Sequence, residues 1–570
     1  MENLARHVGK EEKFGMVIII SAFYGTDIQN SQHNSTSAAS MANEKKCRDT
    51  TSQLVYITME EFFGFPIAIR ERNCPMDTVV GTRQGTVRGR TASGVVAFKG
   101  IPYAAPPFGA HRFRPPQPAE PWDGVRDALN YGPTVTKPPY FPPFDVLLPE
   151  PAIAGEDCLN LNIWTSDPGN AELPVMVWIH GGAFANGTGA IPTYDGSRFA
   201  RDGVVCVIIN YRLGVDGFLF LGDENANLGL LDQIAALTWV QENIAAFGGD
   251  PTNVTIFGQS AGGMSVGTLL SMPLARGLFR RAIAQSGAGH HVISPATARR
   301  IGQYLAGRLG VEPPLEAIAA VPLDTLLTAQ VALSADVFEH PDPARWGEVA
   351  ANLMPFEPVI DGEVLPLRPI DRIAAGAGAE IDVLVGTTSE EERLFLVPNS
   401  AINHINEDIL AGTVAAYGLP VAETLTTYRA TRPGANAGDL YEAVVTDWFF
   451  RIPSIRLAEA HVKNNGRTYM YEFAWRSPRF DGHLGACHAL ELPFVFDTLD
   501  IGEMEALLGD NPPQQIANAM HSAWLNFARS GDPGWPQYDL KQRATMRFDI
   551  SSELVEDRGS SERLLWEGLR

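Results

Sequence analysis

Cysteine is scarce in this 570-residue chain: there are five, Cys47, Cys74, Cys158, Cys206 and Cys487. An odd, scattered set of that size is no disulfide framework, and no Cys/His spacing suggests zinc. Neither a metal nor a cofactor is expected, and a reducing, cytoplasmic location fits best. Positive charge is also short, with 44 Lys and Arg against 66 Asp and Glu and a net charge of −22. Phosphate binding relies on positive surface, so nucleic acid is excluded as a main partner. No run approaches the roughly 20 apolar residues needed to cross a bilayer, and no membrane partner is expected. The nearest, "MVIIISAFYG" over 16–25, follows a stretch of mixed charge and precedes no clear small-residue cleavage site. It reads as a stray strand or an unstructured leader, with a secretory signal core as the alternative. Internal repeats and low-complexity linkers are absent too. What remains is an ordinary core-forming composition, 45% hydrophobic and 19% charged.

Residues 1–75 are rich in Asn, Ser, Thr and Gln around "NSQHNSTSAASMANEKK" and show no sustained period. They are expected to be a disordered extension outside the fold, with Met76 a candidate start of the protein. From there "VVGTRQGTVRGRTASGVVAFKGIPYA" alternates as hairpins do. Proline clusters in "PYAAPPFGAHRFRPPQPAEPW" and "KPPYFPPFDVLLPEP" predict irregular wrapping segments. "LPVMVWI", "VVCVIINY" and "NVTIF" are short continuous apolar runs, the mark of strands covered on both faces of a largely parallel sheet. Helical patterns separate them, as in "LGLLDQIAALTWVQENIAAFGG", and dominate 293–380 and 400–475. The alternation predicts one large α/β domain over 76–570.

Gly-x-Ser-x-Gly occurs twice in "VTIFGQSAGGMSVGTLL", around Ser260 and Ser265. A nucleophile elbow needs a strand entering a sharp turn, the serine at its tip and a helix leaving. Ser260 meets that demand, with Val254–Phe257 as the strand and Ala261, Gly262 and Gly263 opening the helix. Ser265 falls within the first helical turns and is expected to pack there. Upstream, "VWIHGGAFANG" ends a strand in His180-Gly181-Gly182-Ala183, where backbone N–H groups can meet a developing oxyanion. The base is sought beyond Ser260, among His290, His291, His340, His404, His461, His483, His488 and His521. His461 lies in a helical pattern and is expected at the surface, while His521 sits in a late helix. His488, in the Gly-flanked loop "GHLGACHALELPFVF", is the first choice and His483 the next. For the acid, "VLVGTTSEEERLFLVP" offers Glu390, Glu391 and Glu392 at the carboxyl end of a buried strand, where open α/β sheets bind ligands.

Several blocks together resemble the type-B carboxylesterases, which include bacterial para-nitrobenzyl esterases and the cholinesterases. They are "FKGIPYAAPPFGAHRFRPPQP", "EDCLNLNIW", "VMVWIHGGAF", "NYRLGVDGF", "NLGLLDQIAALTWVQENIAAFGGDPTNVTIFGQSAGG", "FRRAIAQSGAG", "ACHALELPFVF" and "AWLNFARSGDPGWP". They run in the expected order over about 78–570, and the likeness is strongest to bacterial, actinobacterial members. The resemblance implies an α/β-hydrolase fold: a large central, mostly parallel sheet flanked by helices, with helical insertions around an active-site gorge. It implies Ser260 as nucleophile, His488 as base and Glu391 as acid. Oxyanion donors would be the N–H groups of Gly182, Ala183 and Ala261, with Gly181 supporting the turn. The implied activity is hydrolysis of small-molecule carboxylic esters, short- to medium-chain or aromatic, by a monomer through an acyl-enzyme.

Three departures stand out. Gln259 replaces a glutamate common in the family, which removes one buried charge. Glu392 replaces a frequent glycine beside the acid. Cys158 has no cysteine between 75 and 157 to pair with, so the disulfide of the secreted relatives is not expected, which favours the intracellular bacterial branch. A non-catalytic cholinesterase-like adhesion protein, and an amidase or lipase on the same scaffold, are the alternatives. Phe184, Phe395, Trp448 and Phe449 are aromatic candidates for the pocket, none singled out.

Overall fold

The computed structural model describes residues 76–569 apart from 170–171, 223–224 and 312–314. The expectations for residues 1–75 therefore lie outside the described residues. The alternating N-terminal runs form hairpins: β1 (Met76–Gly81), β2 (Thr86–Ala92) and β3 (Val95–Pro102) pair antiparallel in order. β4 (Val125–Asp127) lies beside β2, and β5 (Asn160–Thr165) is antiparallel to β3. The apolar runs become β6 (Leu173–Ile179), β7 (Val205–Ile209) and β8 (Gly249–Gln259). β9 (Arg281–Gln285), β10 (Asp382–Thr388), β11 (Thr468–Phe473) and β12 (Thr545–Phe548) follow, with β13 (Glu553–Val555) antiparallel at the edge. Spatially β7-β6-β8-β9-β10-β11-β12 are all parallel neighbours. This is an α/β fold with a large mixed, mostly parallel sheet, of the α/β-hydrolase type.

Why the central strands read as unbroken apolar runs is visible in their two-residue period. Val175, Val177 and Ile179 enter one core, while Met176 and Trp178 enter another on the opposite face. The helices Leu228–Asn243 and Ala261–Leu269 cover the first face. Gln514–Ser530 covers the second, through Trp524 and Phe527. Each such apolar side chain contributes about 1.5–3 kcal/mol when fully buried. Covering both faces leaves polar chemistry to the ends of the strands.

Register brings those ends level. Ile179 pairs with Gly258, Gly258 with Ala284, and Gln285 with Gly386. The helix after β8 can approach this edge because it begins with glycines: a Cβ on Gly262 would stand 1.9 Å from the Ile179 carbonyl oxygen. Ser265 is fully buried on that helix and accepts a hydrogen bond from Gln233 Nε2 at 3.0 Å, the packing role expected of it.

His461 departs from expectation. It is fully buried, with Nδ1 2.8 Å from Thr468 Oγ1 and Nε2 3.0 Å from the Gly378 carbonyl. The turn before β10 and the start of β11 cover its helix face, and both ring nitrogens are satisfied there. Helical spacing alone does not reveal such a polar cover.

Arg212, just after β7, and Asp232, on the helix Leu228–Asn243, form a buried ion pair. Arg212 Nε and Nη2 each donate at 2.7 Å to Asp232, whose Oδ2 also accepts the Arg212 N–H at 3.0 Å. Removing one member of such a pair strands a buried charge. Asp232→Ala is expected to lose about 3–5 kcal/mol in chemical denaturation; a change below about 1 kcal/mol would show that the pair is not an anchor.

Candidate active site

Ser260 sits where β8 turns into the helix Ala261–Leu269, at φ 57° and ψ −127°. A non-glycine residue in that region stores roughly 1–3 kcal/mol of strain. Its backbone is gripped on both sides, since Ser260 N–H donates to the Gln285 carbonyl and its own carbonyl accepts from Met264 N–H. The side chain is thereby held out at the sheet edge, on a cavity of about 160 Å³.

His488 and Glu391 arrive from the neighbouring strands. Glu391 follows β10 and is fully buried. Its Oε1 accepts the Thr388 N–H at 2.8 Å, and its Oε2 lies 2.6 Å from His488 Nδ1. A carboxylate can only accept there, so Nδ1 carries the proton and Nε2 is left as the acceptor. His488 lies in the loop after β11 and is fixed further by its own N–H, which donates to the Glu391 carbonyl at 3.1 Å. Phe450 packs on the imidazole at 4.8 Å between ring centroids and Phe395 at 5.5 Å.

The acidic triplet is separated by geometry. Glu390 turns away to Arg393 and Arg476 and accepts the Ala486 N–H. Burial, with Glu442 and Glu391 nearby, pushes the Glu392 carboxyl up to about 8. Among the histidines, His483 is exposed and contributes its carbonyl to Arg393. His521 is held by the Val495 carbonyl at 2.7 Å. Burial lowers His180 to about 3 and keeps it neutral against Tyr211.

After β6 the chain passes through Gly182 at φ 116°, Ala183 at 53° and Phe184 at 58°. A Cβ on Gly182 would stand 2.3 Å from the Asn186 carbonyl oxygen, so the turn closes only on glycine. Gly181, Gly182 and Ala183 line the cavity beside Ser260 and His488. Among the described residues, the N–H groups of Gly182, Ala183 and Ala261 make no hydrogen bond within the protein.

Two features were not anticipated. Gln259 Nε2 lies 3.1 Å from His488 Nε2 and 3.4 Å from Nδ1, so the amide sits against the imidazole ring. Glu491 is fully buried three residues past His488, with Oε1 accepting from Gln285 Nε2 at 3.2 Å. A carboxyl inside the apolar run "HALELPFVF" was its one visible signal. Of the four aromatic candidates, Phe395 lines the cavity; Phe184 packs on Phe218, Trp448 on Tyr417 and Phe449 on His291.

Comparison with known proteins places these elements in context. Residues 76–564 match the model of the carboxylesterase family. The chain is 39% identical over 501 residues to the para-nitrobenzyl esterase of Bacillus subtilis, covering 85% of this chain and 97% of that protein. It is 35% identical over 503 residues to the phenmedipham hydrolase of Pseudarthrobacter oxydans, covering 84% and 94%. The crystal structure of Geobacillus stearothermophilus carboxylesterase EST55 at pH 6.2 superposes with a TM-score of 0.76 at 40% identity. It covers 86% of this chain and all of that one.

Burial, with the Glu391 charge nearby, pushes the Glu491 carboxyl from its ordinary 4.5 to about 8. Between those values the folded state keeps a proton that the unfolded state has lost, so stability falls as pH rises from 4.5 to 8. Glu491→Gln removes that slope. Its Tm should exceed that of the wild type by more at about pH 8.5 than at about pH 5.5; an equal offset at both would show that Glu491 is not protonated in the fold.

Proposed function

Because this chain belongs to the carboxylesterase family and is a carboxylic ester hydrolase, we propose that Ser260, His488 and Glu391 carry out the hydrolysis through an acyl-enzyme. The observation that carries the reading is the 2.6 Å hydrogen bond from His488 Nδ1 to buried Glu391, on the same cavity as the strained Ser260. Ser260 Oγ attacks the ester carbonyl while His488 Nε2 takes its proton, and Glu391 stabilises the imidazolium that forms. In the free protein the Gln259 amide lies against the imidazole, 3.1 Å from that nitrogen. Catalytic hydrogen bonds commonly tighten only when substrate is bound. The negative charge on the carbonyl oxygen falls to the N–H groups of Gly182, Ala183 and Ala261. His488 then returns its proton to the departing alcohol and activates the water that releases the acid.

The cavity supports apolar, uncharged substrates of short to medium length or with one aromatic ring. Leu147, Leu148, Ile191, Phe395, Met504 and Leu507 line it, and among its described residues none is Asp, Glu, Lys or Arg. We place the protein in a reducing compartment on the strength of Cys158, Cys206 and Cys487, three buried free thiols.

A rate panel of p-nitrophenyl esters from acetate to decanoate tests the reading. Activity should fall off at the long end, and Ser260→Ala should lose about 10⁴-fold or more in kcat. Equal rates in wild type and Ser260→Ala would reject the nucleophile. Glu391→Gln should lose about 10³–10⁴-fold, since the wrong tautomer then prevails, while Glu390→Gln should stay within about tenfold. The reverse order would move the acid by one residue.

A further inference from the structure

The turn after β6 sets three successive residues, Gly182 to Phe184, at positive φ, two of them with side chains. Such a turn persists only where its surroundings over-determine it. Some restraint is internal: Ala185 and Asn186 N–H groups donate to the Gly182 carbonyl, and the Phe184 carbonyl accepts from Gly214 N–H. The rest comes from the proline-rich segment read from sequence as mere wrapping. Glu150 Oε1 accepts the Gly187 N–H, and its Oε2 lies 3.4 Å from Asn186 Nδ2. Asn186 Nδ2 also donates to the Pro138 carbonyl at 2.7 Å. Lys137 Nζ stands 3.6 Å from Glu150 Oε1 and 3.4 Å from the Pro151 carbonyl.

The Lys137 and Glu150 side chains are only 5% and 6% exposed. Burying a cation and a carboxylate together seldom gains net stability over apolar packing, so the pair calls for another explanation. Neither residue lines the cavity, whereas the two they restrain, Asn186 and Gly187, line it together with Gly181, Gly182 and Ala183. Burial lowers the Lys137 ammonium and raises the Glu150 carboxyl, and each charge offsets the shift of the other.

We propose that the buried Lys137–Glu150 pair positions the oxyanion turn: Glu150 grips Gly187 and Asn186, and Lys137 holds Glu150 against them. The inference rests on the reading of the Gly182 and Ala183 N–H groups as oxyanion donors. Both are positioning residues, since neither reaches substrate. Their effect appears only when charge develops on the carbonyl oxygen, after the ester has settled into the apolar cavity.

Glu150→Ala should therefore lower kcat on p-nitrophenyl acetate by about thirtyfold, less than the loss of a donor outright, with KM within about twofold. Inhibition by an aryl trifluoromethyl ketone, whose serine adduct carries the oxyanion, should weaken by a similar factor. Lys137→Met/Glu150→Gln keeps an acceptor for Gly187 without a stranded ammonium and should recover most of the lost kcat. A folded Glu150→Ala with kcat within about twofold of wild type, or with ketone inhibition unchanged, would overturn the proposal. Should that variant not fold, Asn186→Ala removes the side-chain half of the tether. It should cost about fivefold in kcat at constant KM, and an unchanged kcat overturns the proposal equally. If the ketone fails on the wild type, or Ser260→Ala keeps its rate, the underlying catalytic reading fails instead.

Discussion

Everything at this site depends on one steric constraint, the approach of the helix Ala261–Leu269 to the end of β6. Gly262 lies so close to the Ile179 carbonyl that no side chain fits between them. That contact fixes where the helix starts, and so forces Ser260 into a backbone conformation few residues adopt. It also sets the β6 turn, with its unused N–H groups, directly beside the serine. Strain at Ser260 and closeness to Gly182 are two results of the same packing.

Charge is distributed with similar economy. The carboxyl that meets His488 is anchored by a backbone N–H and by the imidazole. Its neighbours Glu392, Glu442 and Glu491 are pushed up to about 8, chiefly by burial. Burial thus disfavours their charged forms, and of these carboxyls Glu391 is the one that meets the imidazole. Gln259, where the family often has a glutamate, sets a neutral amide against His488.

Much of this arrangement was legible in the amino-acid order because it follows from local chemistry. A strand, a tight turn and a small-residue helix start are all written in "VTIFGQSAGG", and they separate Ser260 from Ser265 without further help. The double coverage of β6, β7 and β8 shows in their unbroken apolar runs. Less local features were hidden. Three adjacent glutamates look alike in sequence, and only the fold turns Glu390 toward arginines and Glu391 toward His488. His461 looked like a surface residue because its polar partners, Thr468 and the Gly378 carbonyl, come from other elements. Lys137 and Glu150 sit 13 positions apart in an irregular stretch, and their meeting beneath the β6 turn leaves no periodic trace.

The central claim is that Ser260 is the nucleophile and is activated in place. Stoichiometric treatment with an organophosphate such as paraoxon, followed by peptide mapping in a mass spectrometer, addresses it directly. The account predicts one dialkyl phosphoryl group per chain, on the peptide containing Ser260, with loss of esterase activity in parallel. No adduct, or an adduct on Ser265 or elsewhere with activity lost in step, would contradict it.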